Sequence, residues 1–175
     1  MPLPNLTLVL GGAASGKSCF AEGLVTSSGR APVYIATAQA WDAEMADRIA
    51  AHRDARAGAG WRTLEEPAAL PAALAAVTAG EAVLIDCATL WLSNLMLADA
   101  DLPPAETALI AALAACPAPV VIVSNEVGQG IVPDNALARR FRDAQGGLNR
   151  RLAARAGLVV AVMAGLPLVL KGALP

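Results

Sequence analysis

The chain is poor in aromatic residues, with six in 175, and it has two lysines, one histidine and three cysteines. Each scarcity excludes something. Without a run of about 18 uncharged apolar residues, a membrane span is not expected. The stretch 158–170 is apolar, but Gly165 and Pro167 interrupt it, so it reads as two buried strands with a turn. The apolar N-terminus has no basic leader, so no signal peptide is expected. Cys19, Cys87 and Cys116 are odd in number and follow no metal-ligand spacing. They suit a reduced, cytoplasmic protein with incidental thiols. The length fits one domain, 1–175, with a substantial core.

Charge is scarce too, at 16%, and unevenly spread. Residues 134–155 hold six arginines against two aspartates, while the net charge of the whole chain is −2. A basic helix is more often a solvated or anion-facing surface than a nucleic-acid site, so no nucleic-acid partner is expected.

One of the two lysines lies in a pattern that carries chemistry. Residues 11–18 read Gly11-Gly12-Ala13-Ala14-Ser15-Gly16-Lys17-Ser18, directly after the apolar run Leu6–Leu10. A P-loop needs a buried strand to deliver the chain and a helix to receive it. Its backbone N–H groups then face phosphate oxygens, and the helix adds its positive dipole end. Gly11, Gly12 and Gly16 allow backbone angles and close approaches that a side chain would block. Lys17 would reach the β- and γ-phosphates, and the Ser18 hydroxyl would ligate Mg²⁺.

Apolar runs alternate with helical stretches. Strands are expected at 6–10, 33–37, 82–87, 120–125, 158–164 and 168–171. Helices are expected at 17–27, 42–54, 68–77, 91–98, 105–115 and 134–156. The strands are continuous in Val, Ile and Leu, as in parallel sheets covered on both faces. In the last helix Leu137, Phe141, Leu148 and Leu152 form one stripe, with Asp134 expected as N-cap and Gly157 as C-terminal stop. The reading is a three-layer α/β fold of the P-loop NTPase type, RecA-like, with a mostly parallel central sheet. Ligands in such sheets bind at the carboxyl ends of the strands.

That rule points to Asp86, which ends the run Ala82–Ile85 where P-loop proteins place the acid that holds Mg²⁺ through water. It also points to the loop Asn125–Pro133, readable as a substrate-facing segment or a plain connection. His52 is the only histidine, in a segment with Arg48, Arg53 and Arg56. Periodicity leaves it at the border of a helix face, so both a structural and a reactive role stay open. The positive neighbours favour a neutral, nucleophilic ring and could hold phosphates.

Taken together, these segments resemble the bifunctional adenosylcobinamide kinase / adenosylcobinamide-phosphate guanylyltransferase family of cobalamin biosynthesis. The resemblance runs through the P-loop, Tyr34–Ala38, Asp42–Met45 with Arg48-Ile49 and His52-Arg53, Trp61–Glu65, and Ser124–Pro133 with Leu137–Arg139 and Phe141–Asp143. It implies that a nucleoside triphosphate, ATP or GTP, phosphorylates adenosylcobinamide. GMP then passes from GTP through an enzyme histidine to adenosylcobinamide phosphate. His52 and Lys17 would be the catalytic pair, with His52 as the nucleophile. Gly11–Ser18, Ala36, Thr37, Ala38, Arg53, Asp54, Ala55, Arg56, Glu65 and Asp86 would contact nucleotide, and Ser18 and Asp86 would hold Mg²⁺. A homo-oligomer, a trimer in the best-known relatives, is also implied. Ala14 stands where many relatives have arginine, and Ala51 where some have a second histidine. A kinase without guanylyl transfer is the main rival. It would need Lys17, Ser18 and Asp86 but not His52.

Overall fold

The computed structural model describes residues 2–39, 58 and 60–175. The seven strands of the described residues lie in one sheet: β1 (Leu6–Gly11), β2 (Ala31–Ala36), β3 (Arg62–Glu65), β4 (Glu81–Asp86), β5 (Val120–Asn125), β6 (Leu158–Met163) and β7 (Leu166–Lys171). Their order is β3-β2-β4-β5-β1-β6-β7. β1 to β6 run parallel to one another, and β7 is antiparallel, hairpinned to β6. The described helices are α1 (Lys17–Thr26), α2 (Leu70–Ala75), α3 (Ala88–Leu97), α4 (Leu102–Ala115) and α5 (Ala136–Arg155).

The strands are apolar throughout because both faces are covered. Leu8, Val83, Ile85, Val120 and Ile122 enter one core with Trp91, Leu109, Leu148 and Leu152 from α3, α4 and α5. Their neighbours Val9, Ala82, Leu84, Val121 and Val123 enter the other core with Ala21, Leu24 and Val25 of α1. Alternate side chains point to opposite faces, so a strand between two helical layers has no polar side. This is the expected three-layer arrangement.

Several expectations are corrected. β3 was not foreseen as a strand. It is a four-residue edge strand with half-exposed side chains, and a pattern that short carries little periodic signal. The second apolar run of 158–170 is not buried: every residue of β7 is exposed. It has a neighbour on one side only. The N-cap of α5 is Asn135 rather than Asp134, and its Oδ1 accepts from Ala138 N at 2.8 Å. Gly157 is not in the left-handed region that ends many helices. A Cβ there would lie 3.0 Å from Pro4 Cβ, so close packing accounts for the glycine. α4 starts three residues early because Pro103 and Pro104 fit a first helical turn, where no N–H partner is lost. The expected helix 42–54 lies outside the described residues.

Glu81, at the start of β4, holds the β3 edge. It accepts from Arg62 Nε and Nη2 at 3.0 and 2.8 Å, and from Thr78 N and Oγ1 at 2.7 and 3.0 Å. The Thr78 N–H, then Arg62, keep its carboxyl below the ordinary carboxylate range, against opposing burial. A depressed folded-state value stabilises above the unfolded value and is lost as pH falls through the folded one. Glu81→Gln should therefore lower stability at pH 7 by up to about 1 kcal/mol, with the deficit vanishing in acid. Urea melts of both proteins at pH 7 and pH 3 test this; an unchanged gap would show that charge is not the cause.

Candidate active site

The strand–loop–helix unit predicted from the sequence is present. β1 delivers residues 11–16, and α1 begins at Lys17 with Gly16 as its N-cap, at φ +89°. No side chain caps this helix and no acidic residue lies in its first turn. Its leading N–H groups therefore suit an anion. Lys17 Nζ donates to Gly12 O at 2.9 Å, which spans the loop.

The expected glycine roles divide. At Gly11 a Cβ would lie 2.4 Å from Ser15 Oγ and 2.7 Å from Val162 O, so the loop closes only around a bare Cα. Gly16 needs its left-handed angle, and its Cβ would lie 3.1 Å from Gly165 Cα. Gly12 has neither constraint: no atom lies within 4 Å of a Cβ there, and its φ is not left-handed. Ala14 takes φ 52° without being glycine.

Sequence reasoning missed what braces the loop. Ala164 and Gly165, both at positive φ, make the two-residue turn between β6 and β7. That is the hairpin turn whose twist matches its strands. Gly165 N donates to Ser15 O at 2.9 Å, so the hairpin tip is bonded to the P-loop. The signal was available, since Ala164-Gly165 separates two apolar runs, but nothing local shows what the tip meets. Ser15 Oγ is buried without a partner.

The other strand ends gather at the same edge. β2 and β4 pair with Ala36 beside Asp86, and β2 and β3 with Ala36 beside Glu65. Tyr34 Oη donates to Asp86 Oδ2 at 3.2 Å, and the Tyr34 ring packs edge-on against Trp61 at 6.0 Å. Thr37 is fully buried. Its N–H donates to Asp86 O at 3.1 Å, and its Oγ1 both donates to Cys87 O and accepts from Cys87 N at 2.7 Å. Asn94 Nδ2 ties down Thr37 O at 2.9 Å and Pro67 O at 3.0 Å. Thr37 is thus held by buried bonds beside Asp86. Ala38 follows it directly.

Asn125 pairs in register with Gly11, between the P-loop strand and the Asp86 strand. Its N–H donates to Thr89 Oγ1 at 2.8 Å and its O accepts from Asn149 Nδ2 at 3.1 Å, while its Oδ1 is buried without a partner. Behind it Ser124 Oγ, Gln145 Nε2 and Asn149 Oδ1 form a buried triangle with sides of 2.6 to 2.9 Å. Sequence reasoning passed over Gln145 and Asn149. Their signal is a polar pair four apart on the side of α5 that carries Leu148 and Leu152.

Cys87 lies beside Asp86 but is no nucleophile. Burial, then the Asp86 charge, push its thiol up to about 11. Its Sγ accepts from Leu90 N at 3.4 Å and caps α3. Among the described residues no cluster of three His, Cys, Asp or Glu could hold a metal. A hydroxyl and one carboxylate, Ser18 and Asp86, do fit Mg²⁺, which takes few protein ligands and completes its shell with phosphates and water. His52, Arg53, Asp54, Ala55 and Arg56 lie outside the described residues.

Fold and site together define a P-loop nucleotide-binding enzyme built on a RecA-like sheet. Flagellar accessory protein FlaH from Methanocaldococcus jannaschii shares this fold, with a TM-score of 0.55 at 10% identity over 98% of this chain and 80% of its own. The profile of the family described as "Cobinamide kinase / cobinamide phosphate guanyltransferase" matches residues 7–170. The "Bifunctional adenosylcobalamin biosynthesis protein CobP" of Pseudomonas aeruginosa is 51% identical, covering 94% of this chain and 96% of that protein. The "Bifunctional adenosylcobalamin biosynthesis protein CobU" of Salmonella typhimurium is 45% identical, covering 95% of this chain and 99% of that protein. That of Escherichia coli is 42% identical, with the same coverage of 95% and 99%. The chain belongs to this cobinamide kinase / cobinamide phosphate guanyltransferase family.

Gly16→Ala forces a side chain into left-handed backbone and should cost about 1–2 kcal/mol of stability. Gly12→Ala, with open space around it, should stay within about 0.5 kcal/mol of the native protein. Thermal melts of the two separate a strained position from a free one; equal losses would contradict the loop geometry.

Proposed function

We propose that this chain carries out both reactions for which its family is named, phosphorylation of cobinamide and guanylyl transfer to the product, as a step in making cobalamin. One domain serves both. The observation that carries the reading is the braced P-loop. Bare amides at the head of α1 and the Lys17 ammonium face the same loop, and Asp86 ends a strand at the same sheet edge. In the kinase step the acceptor hydroxyl oxygen attacks the γ-phosphorus and the bond to the bridging β-oxygen breaks. The nucleoside diphosphate leaves and the hydroxyl proton passes to solvent. Residues 11–16, with Lys17, spread the charge that develops on the phosphoryl oxygens. Ser18 and Asp86 would hold Mg²⁺, which supplies further neutralisation when bound.

In the transferase step a ring nitrogen of His52 attacks the α-phosphorus of GTP and pyrophosphate leaves. A phosphate oxygen of cobinamide phosphate then attacks that phosphorus. The P–N bond breaks and GMP moves to the acceptor. Two displacements with a good leaving group replace one hard transfer. His52 is favoured because it is the chain's only histidine and lies in the family's His-Arg segment. Ala36, Thr37, Ala38, Arg53, Asp54, Ala55, Arg56 and Glu65 are assigned to nucleotide contact on the same family ground. For Thr37 its bond to the Asp86 carbonyl supports it, and for Glu65 its place beside Ala36 at the same sheet edge.

Further features support the remaining expectations. Leu166, Leu168 and Leu170 of β7 are 72, 56 and 57% exposed, an apolar edge suited to a second copy of the chain in a homo-oligomer. Arg139 and Arg151 of α5 bond within the chain, to the Pro133 and Asp134 carbonyls and to Glu106. Cys19, Cys87 and Cys116 are free thiols, in keeping with a reducing cytoplasm. No helix among the described residues is long and apolar enough to cross a membrane.

Incubation with GTP labelled at the α-phosphate tests the covalent step. An acid-labile, alkali-stable protein label is expected, absent in His52→Ala. A label that persists in that variant removes His52 from the mechanism, and a kinase that takes up no label is the monofunctional alternative. Lys17→Ala should lower phosphorylation by roughly 10²–10³-fold, measured as cobinamide-dependent nucleoside diphosphate release.

A further inference from the structure

Beside the P-loop strand lies a hollow of about 740 Å³, a size typical of small-molecule sites. Its walls include Leu10 of β1, Glu126 and Val132 of the β5–α5 connection, and Gly146, Asn149 and Arg150 of α5. Three observations bear on what it takes.

The first is position. Glu126 N donates to Gly11 O at 3.2 Å, so one wall is bonded to the first residue of the P-loop. Another wall is fixed from behind, because Asn149 is 6% exposed and belongs to the buried triangle with Ser124 and Gln145.

The second is the glycine pair Gly146-Gly147 inside the 20-residue helix α5. Each glycine costs a helix interior about 1 kcal/mol relative to alanine. A Cβ on Gly146 would meet no atom within 4 Å, so packing inside the chain does not require it. The missing side chain widens the hollow instead.

The third is chemistry. Arg142 lines the same hollow and, among the described residues, has only its neighbour Asp143 as partner, at 3.4 Å. Arg150 bonds to no described residue. On the connection that walls the hollow, Ile131 and Val132 are 97 and 60% exposed. A wide apolar lip with guanidinium groups suits a bulky ligand that has flat apolar surface, carbonyl acceptors and an anionic end.

We propose that this hollow binds the acceptor corrinoid. The assignment rests on the activity proposed above. Cobinamide combines an apolar macrocycle, peripheral amides and a hydroxyl arm that becomes a phosphate. One edge of the macrocycle lies against Val132 and the bare Gly146 face. Arg150 donates to peripheral amide carbonyls. The arm runs toward Glu126 and the P-loop. Arg142, two turns nearer the start of α5 than Arg150, holds the phosphate once it is attached.

Steady-state kinetics on two variants test this. Gly146→Leu fills the hollow while improving helix propensity. It should raise KM for cobinamide and for cobinamide phosphate about tenfold, with nucleotide affinity unchanged within about twofold. Arg142→Ala should raise KM for cobinamide phosphate in guanylyl transfer about tenfold and leave KM for cobinamide in phosphorylation unchanged. Unchanged acceptor KM values in a folded, active Gly146→Leu would overturn the site. Should that variant not fold, Arg142→Ala decides alone, and equal KM values for cobinamide phosphate in variant and native enzyme refute it. A native protein that turns over neither acceptor is a different result, which removes the activity reading and this assignment with it.

Discussion

Every feature of the site follows from one constraint: a parallel sheet must be covered on both faces. A crossover returns each strand in the same direction, so the carboxyl ends of β1 to β6 meet along one edge. That edge receives the P-loop from β1, Thr37 from β2, Glu65 from β3, Asp86 from β4 and Asn125 from β5. These residues are far apart in sequence and belong to different motifs. Burying the strands brings them together, and no contact among them is needed to begin the process.

Burial alone would leave the edge loose, since hydrophobic packing has no direction. Two polar assemblies fix it. Thr37 and Asn94 bind the chain after β2 to the chain after β4 through bonds of 2.7 to 2.9 Å. Ser124, Gln145 and Asn149 bind the end of β5 to α5. Such groups gain little net energy from their bonds but cost about 1–3 kcal/mol each if left unpaired in the interior. Their effect is to penalise every other arrangement of the strand ends. The edge is then rigid before nucleotide arrives, as electrostatic stabilisation of phosphoryl transfer requires.

Much of this was legible. Five central strands, the P-loop and the acid at the end of β4 could be read because each is a continuous pattern of about six residues or more with a chemical marker. The failures share a cause. β3 has four residues at an edge, too short for a period, and its pairing depends on Ala36 and Val33 elsewhere in the chain. β7 looked buried because Leu166, Leu168 and Leu170 are apolar, yet composition does not tell whether a layer covers them. Gly157 matched a helix stop by position, but the reason for glycine there is Pro4, more than 150 residues away in sequence. The buried triangle on α5 was hidden for a related reason. Gln145 and Asn149 look solvent-facing until the helix is placed against β5.

The P-loop itself shows why a local motif is not a local structure. Its pattern is eight residues long, yet two of its glycines answer to the hairpin 150 residues later. Gly11 is confined by Val162 O as well as by Ser15, and Gly16 by Gly165 Cα. Gly165 in turn bonds Ser15 O, between the two. Three glycines from two distant segments therefore share one small space. Residues that crowd the same space do not contribute independently. Alanine at Gly11 and at Gly16 would each push the hairpin and the loop apart, and once they are apart the second substitution meets less resistance. Their combined cost should fall below the sum of the single costs, whereas glycines required only for local backbone freedom would add.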